Sequence, residues 1–262
     1  MEIITSRQNP LCVQIRKLSS SAAARSEAGL FLCDSPKLLG EAAKWAPERI
    51  RTVVFTSGAA LPELGEQVRL VQVPADVMAS LSPARTPQGT LGLCALEERP
   101  LPERLTGRRY VVLDGVQDPG NVGTILRTAD AAGFDGALLS SACADLYGAK
   151  TLRATMGSVF RVPVRRTADL PAALEEMKAR GYAIVATELG GADFYAHCPH
   201  ERAVLVIGSE GNGVSAEVRA VATHHLALPM RGGAESLNAA VAAGIMIYEM
   251  ARARAVPAAA SV

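Results

Sequence analysis

Aromatic residues are scarce: Phe, Tyr and Trp make up 4% of the 262 residues, with a single Trp. The core must therefore rest on aliphatic packing, and hydrophobic residues do reach 49%, which excludes a disordered chain. Net charge is almost absent, +1 from 27 basic and 26 acidic residues. No global field marks a nucleic-acid partner, so any basic footprint must be local. Disulfide patterning is missing too. The five cysteines (Cys12, Cys33, Cys94, Cys143 and Cys198) form no C-x-x-C pair, and an odd, scattered count fits a reducing compartment. The opening MEIITSRQNP lacks the apolar stretch of a signal peptide, and no run approaches the roughly 18 apolar residues of a membrane span. These absences lead to the expectation of a soluble, cytoplasmic, globular protein with no membrane partner.

A length of 262 residues fits one large domain or two ordinary ones. The clearest break is EERPLPERLTGRR, residues 97–109, rich in charge and proline; a boundary near 105 divides the chain into 1–105 and 106–262. The first part reads as a smaller α/β domain. Its N-terminus carries Arg7, Arg16, Lys17 and Arg25 against only Glu2 and Glu27. Strand-like runs follow at 30–33, 52–56 and 70–73, with a helix near 36–44 and a turn-then-strand in SPARTPQGTLGLCAL. The second part alternates short apolar strands (110–113, 136–139, 162–165, 183–187, 203–207, 226–228) with helical stretches near 119–133, 148–157, 169–180, 215–222 and 234–253. That alternation predicts an α/β fold with a parallel sheet covered on both faces, with ligands beyond the carboxyl ends of its strands. An Ala-rich tail, 257–262, reads as a frayed end.

Three loops of the second part carry unusual residues. In LDGVQDPGNVGTILRTADAAGF (113–134), Asp118 suits a helix cap and Pro119 its first turn. Val122, Ile125, Leu126, Ala129 and Ala132 form the buried stripe, and Arg127 projects about 140° from Val122, off that stripe. VLVIGSEGNGVS (204–215) resembles a phosphate cradle, yet Glu210 is the wrong charge beside a pyrophosphate. Its glycines run G-x-x-G-x-G, and no acidic residue is placed for a dinucleotide ribose after the next strand, so a nicotinamide-cofactor site is disfavoured. LPMRGGAESLNAAVAAGIMIYEM (228–250) leads into a helix expected from near Ala234, apolar nearly all round and so suited to burial or a subunit interface. Asn238 breaks its apolar face, so Ser236 and Asn238 face either a ligand or polar loop, or a local helix-start hydrogen bond. HCPH (197–200), with His224 and His225, matches no structural zinc spacing, and no metal is expected.

Together the three segments resemble the SpoU (TrmH-like) family of RNA ribose 2′-O-methyltransferases, within the SPOUT class. The shared residues are Asn121, Gly123 and Arg127-Thr128-Ala129, then IGSEGNG (207–213), then PMRGGAESLNAAVA (229–242), in order and spacing over 110–250; ATMGSVFRVPV (154–164) is similar to a fourth family segment. The first part is similar to the substrate-binding domain related to ribosomal protein L30e, on ITSRQNP, RKL and TPQGTLGL. Asp34 and Ser35 depart from that pattern, as Ala239 and Ala240 do in the third segment.

The resemblance implies a deep trefoil knot in the catalytic domain, a homodimer through that domain, and S-adenosylmethionine as cofactor. It places the cofactor against Thr187, Ile207, Gly208, Ser209, Gly211, Leu228, Met230, Ser236 and Leu237. It makes Arg127 the catalytic residue, positioned by Asn121, Glu210, Ser236 and Asn238, with Glu210 touching protein and tying its loop to Asn121 and Arg127. RNA contacts are expected from Arg7, Arg16, Lys17, Arg25, Arg153 and Arg161, with Arg165 and Arg166 beside them. The implied reaction methylates a ribose 2′-hydroxyl, in 23S ribosomal RNA sooner than in tRNA. The rival readings are an inactive RNA-binding or assembly protein of the same fold, and a nucleotide-dependent oxidoreductase.

Overall fold

The computed structural model describes residues 2–84, 86–96, 106–199 and 201–252. Most of the 97–109 break, His200 and the 257–262 tail lie outside the described residues. Contacts divide the chain into two compact units, one of Met1–Glu98 with Asp145–Arg161, the other of Arg99–Ala144 with Val162–Val262.

In the first unit, β1 (Glu2–Ile3), α1 (Pro10–Ser20), α2 (Ala22–Ala28), β2 (Leu30–Cys33), α3 (Pro36–Trp45), β3 (Ile50–Phe55), β4 (Arg69–Gln72), α4 (Ala75–Leu81) and β5 (Thr90–Ala95) follow in order. The sheet runs β1-β4-β3-β5-β2, parallel from β1 to β3, with β5 antiparallel to both its neighbours. The basic N-terminus is more than a polar arm. Asn9 accepts a hydrogen bond from the Leu11 N–H at 2.9 Å, Pro10 opens α1, and Leu11, Ile15 and Leu18 recur at helical spacing to enter the core.

The second unit continues with β6 (Arg109–Asp114), α5 (Pro119–Ala131) and β7 (Gly136–Ser140). The chain then forms α6 (Ala149–Thr155), which packs in the first unit, and returns through β8 (Val164–Thr167), α7 (Leu170–Ala179), β9 (Ala183–Asp193), α8 (Phe194–His197), β10 (Ala203–Gly208), α9 (Ala216–Val221), β11 (His224–Ala227) and α10 (Ala239–Arg252). All pairings in the β11-β9-β10-β6-β7-β8 sheet are parallel, as the alternation of strands and helices predicts. The central β10 is buried along its whole length, so it reads as a continuous apolar run. From β6 the chain steps outward to β7 and β8. It then crosses to β9, and β10 closes the gap beside β6. The carboxyl ends of β6 and β10 thus flank the point where the strand order reverses, the place where open parallel sheets bind ligands.

Two expectations need correction. The segment 145–161, read as part of the second domain, is built into the first unit. Arg25 Nε donates to Asp145 at 3.0 Å, Arg153 to Asp34 at 2.7 Å, and Arg161 pairs with Glu41. The buried Arg49 guanidinium lies over the rings of Phe31, Tyr147 and Phe160 at 5.2, 5.9 and 5.7 Å. Those contacts join residues far apart in sequence, which no local pattern reveals. Asp34 and Ser35 also gain their explanation here. Asp34 is the buried partner of Arg153, and burial raises its carboxyl above the usual range despite that arginine, while Ser35 caps α3 on the Leu38 N–H.

The second correction concerns the last helix, which begins at Ala239 and not near Ala234. The Asn238 side chain accepts from the Ala240 and Val241 N–H groups at 2.9 and 3.2 Å, the work of a cap, so the helix starts just after it.

Candidate active site

Asp118, extended in backbone, caps α5 by accepting from the Asn121 N–H at 2.9 Å, and Pro119 occupies the first turn as expected. This fixes the Asn121 side chain at the helix start. Its Nδ2 donates to Glu210 Oε1 at 2.7 Å, and its Oδ1 accepts from Asn238 Nδ2 at 3.1 Å. The local cap and the polar-loop contact weighed for Asn238 are therefore both present. One amide bridges the three segments picked out in the sequence.

Glu210 is held as an anion. Burial acts to raise its pKa, but the Asn121 amide and backbone N–H groups of Glu210, Gln117 and Asp118 outweigh it and leave the carboxyl below the ordinary 4.5. Its expected tie to Asn121 is there; the expected tie to Arg127 is not. Arg127 is exposed, off the buried face formed by Val122, Ile125, Leu126 and Ala129, and makes no hydrogen bond or ion pair among the described residues.

The glycine loop after β10 is closed by reciprocal backbone bonds, Ser209 N–H to Gly213 C=O at 3.0 Å and Gly213 N–H to Ser209 C=O at 2.9 Å. A Cβ on Gly208 would stand 2.0 Å from the Gly213 carbonyl carbon, so only glycine fits there. Gly211 has open space around it, so its missing side chain is no requirement of folding and leaves bare backbone instead. Asp114, at the end of β6, accepts from the Ser215 N–H at 2.8 Å and anchors the far side of this loop; the sequence reading passed it over.

These loops enclose a cavity of about 710 Å³, lined by 187–189, 207–214, 226–228, Met230, 236–239 and, from the neighbouring helices, Arg219, Ala242 and Met246. Every residue named for the cofactor (Thr187, Ile207, Gly208, Ser209, Gly211, Leu228, Met230, Ser236, Leu237) lies on its wall. Glu210 and Asn238 line it as well, and Asn121 stands behind them. Glu188 and Arg219 also line it and were missed: Arg219 sits in an ordinary helix, and Glu188 in a segment that reads as a plain strand up to the Gly190-Gly191 pair.

The basic residues named for RNA separate into two groups. Arg25 is buried on Asp145 and the Leu18 carbonyl, and Arg153 and Arg161 are held in the ion pairs described above; these hold the fold together. Arg7, Arg16 and Lys17 lie on or beside α1, where Lys17 is exposed and Arg7 makes an exposed pair with Asp76. Of the histidines, His225 Nδ1 lies 2.8 Å from Glu188 Oε2 and His224 contacts Thr223. Among the described residues no group of three His, Cys, Asp or Glu side chains is placed to hold a metal, and no helix is long and apolar enough to cross a membrane.

Residues 108–248 match the model of the SpoU rRNA Methylase family. The chain is 34% identical to the 23S rRNA (guanosine(2553)-2′-O)-methyltransferase RlmP of Bacillus subtilis, over 95% of this chain and 99% of that protein. It superposes on the AdoMet-bound rRNA methyltransferase of Sinorhizobium meliloti with a TM-score of 0.82 at 33% identity, covering 96% of this chain and 97% of that one. The SpoU methyltransferase AviRb of Streptomyces viridochromogenes, in complex with AdoMet, gives 0.83 at 26% identity, covering 94% and 98%. With the family model spanning the cavity loops and a relative aligned over nearly the whole length, this chain belongs to the SpoU methylase family.

Proposed function

We propose that this protein transfers a methyl group from S-adenosylmethionine to a ribose 2′-hydroxyl of RNA, with 23S ribosomal RNA as the substrate. The observation that carries the reading is the convergence on one cavity of the loop residues named for the cofactor, with the Glu210–Asn121–Asn238 chain at its edge. The cavity has the volume of a small-molecule site. The backbone is bare at Gly208 and Gly211, and Glu210 disfavours a phosphate ligand while tolerating a cationic one. The residues present fit S-adenosylmethionine, which when bound supplies a methyl group already activated on a sulfonium.

A ribose hydroxyl is a weak nucleophile, so the chain must orient it and stabilise the charge that grows on its oxygen. Arg127 takes that role. A guanidinium keeps its proton, so it acts by donating hydrogen bonds to the hydroxyl oxygen and a neighbouring phosphate, not by removing a proton. Asn121 sets where α5 and hence Arg127 stand relative to the cavity loops, and Glu210 and Asn238 hold Asn121. Arg7, Arg16 and Lys17 supply phosphate contacts, which would make activity salt-dependent. The α10 face of Val241, Ile245 and Tyr248 is exposed at helical spacing and supports a homodimer through this helix. A deep trefoil knot in the catalytic domain belongs to the same reading.

Incubation with methyl-labelled S-adenosylmethionine and ribosomal RNA, then nuclease digestion, tests the proposal. Label on a 2′-O-methyl nucleoside from 23S RNA is the expected product. Cofactor binding with no transfer to any RNA would leave the inactive assembly protein as the reading, and label confined to tRNA would move the substrate.

A further inference from the structure

β9 does not run straight along β11. Val185 pairs with His224 and Ala186 with His225, and then Leu226 pairs with Ala192. Residues 187–191 therefore leave the ladder while their neighbours His225 and Leu226 stay in it. Gly190 has a φ of +81°, and a Cβ on Gly191 would stand 2.7 Å from the His225 carbonyl oxygen, so the two glycines permit the excursion. Its outward part, Thr187, Glu188 and Leu189, forms one wall of the cavity.

Glu188 is fixed there by two other elements. Oε2 lies 2.8 Å from His225 Nδ1 on β11, and Oε1 lies 3.5 Å from an Arg219 amino group on α9. Each partner takes one acceptor position on one oxygen, and a carboxylate offers about four. An orienting contact on each side leaves both oxygens able to accept from a ligand, and the paired cation of Arg219 offsets the anionic charge. The ligand group that suits such an acceptor carries adjacent hydroxyl donors, as a ribose does; carboxylates take that role in other nucleotide sites. A sulfonium has no hydrogen to donate. Position agrees with this. β9 is separated from β6 by β10, about 10 Å at the usual strand spacing, and α5 with Arg127 follows β6. With Arg127 at the reacting hydroxyl, the transferring end of a bound cofactor would face α5 and leave its nucleoside for the β9 wall.

We propose that Glu188, positioned by His225 and Arg219, accepts hydrogen bonds from the ribose hydroxyls of the cofactor's nucleoside. This rests on the cofactor reading above. The test is calorimetry of the full chain with S-adenosylhomocysteine and its 2′-deoxy and 3′-deoxy forms, in wild type, Glu188→Gln and Glu188→Ala. The wild type should prefer the ribose form over at least one deoxy form by about 10-fold, the size of one good hydrogen bond. That preference should fall below about 2-fold in Glu188→Ala and be intermediate in Glu188→Gln. A general structural role predicts something different: all three ligands weakened alike, with the preference kept. That pattern, or a wild type indifferent to the deoxy forms, overturns the proposal and leaves the cofactor reading intact. Failure of the wild type to bind S-adenosylhomocysteine at all overturns both.

Discussion

Arg25, in the first unit, is buried with its guanidinium on Asp145 and the Leu18 carbonyl. Arg127, in the second, is exposed and bonded to no other described residue. Both read from sequence as arginines for RNA chemistry. Their surroundings separate them: a guanidinium whose donors are taken inside the chain stabilises it, and one held bare on a fixed helix is left for a ligand. The first unit repeats the internal use at Arg153 and Arg161, with Asp34 and Glu41 as partners. The second unit sets its hydrogen bonds one step back from the bare arginine, on Asn121, Glu210 and Asn238.

The contrast can be broken by substitution. Arg25→Ala should cost about 2–3 kcal/mol of stability in a urea titration, toward the low end for a buried pair because Asp145 is 27% exposed. Methyl transfer per folded molecule should be unchanged; a loss of transfer without a loss of stability would put Arg25 at the RNA. The glycines sharpen the same division. Gly157 has a φ of +92° and a Cβ there would meet Glu41 Cγ at 2.6 Å, so Gly157→Ala should lower stability by about 1–2 kcal/mol and spare cofactor affinity. Gly208→Ala should instead displace the loop and weaken cofactor binding by at least about 10-fold in calorimetry. Asn238→Ala removes the α10 cap and one bond to Asn121, a loss of about 1 kcal/mol with weaker cofactor binding.

The smallest effect concerns pH. Because Glu210 titrates below its ordinary 4.5, its contribution is present above that value and is lost as pH falls through the lower folded-state value. Cofactor affinity should hold from neutrality down to about pH 5 and fall below 4.5; a fall already at pH 6 would assign the dependence to another group.

The second sheet was legible because its strands are short apolar runs, and β6, β7 and β10 each fall within a residue or two of their expected limits. The cavity loops were legible because glycines and polar side chains interrupt apolar segments there. Other features were not. In α1, Arg16 and Lys17 drew attention from the Leu11, Ile15 and Leu18 stripe, although Asn9-Pro10 is a good helix start. The burial of Arg25 depends on Asp145, 120 positions away, and the placement of 145–161 depends on the aromatic cluster around Arg49. Glu188 reaches the cavity through an excursion of β9 whose local sign is the Gly190-Gly191 pair.

Arg127→Ala, assayed for methyl transfer to RNA alongside cofactor affinity and thermal midpoint, tests the central claim most directly. Transfer should fall by at least about 100-fold, the scale of losing a charge-stabilising donor, while affinity stays within about 3-fold and the midpoint does not move. Retained transfer, or equal losses in transfer and cofactor affinity, would contradict the assignment of the bare arginine to the reaction.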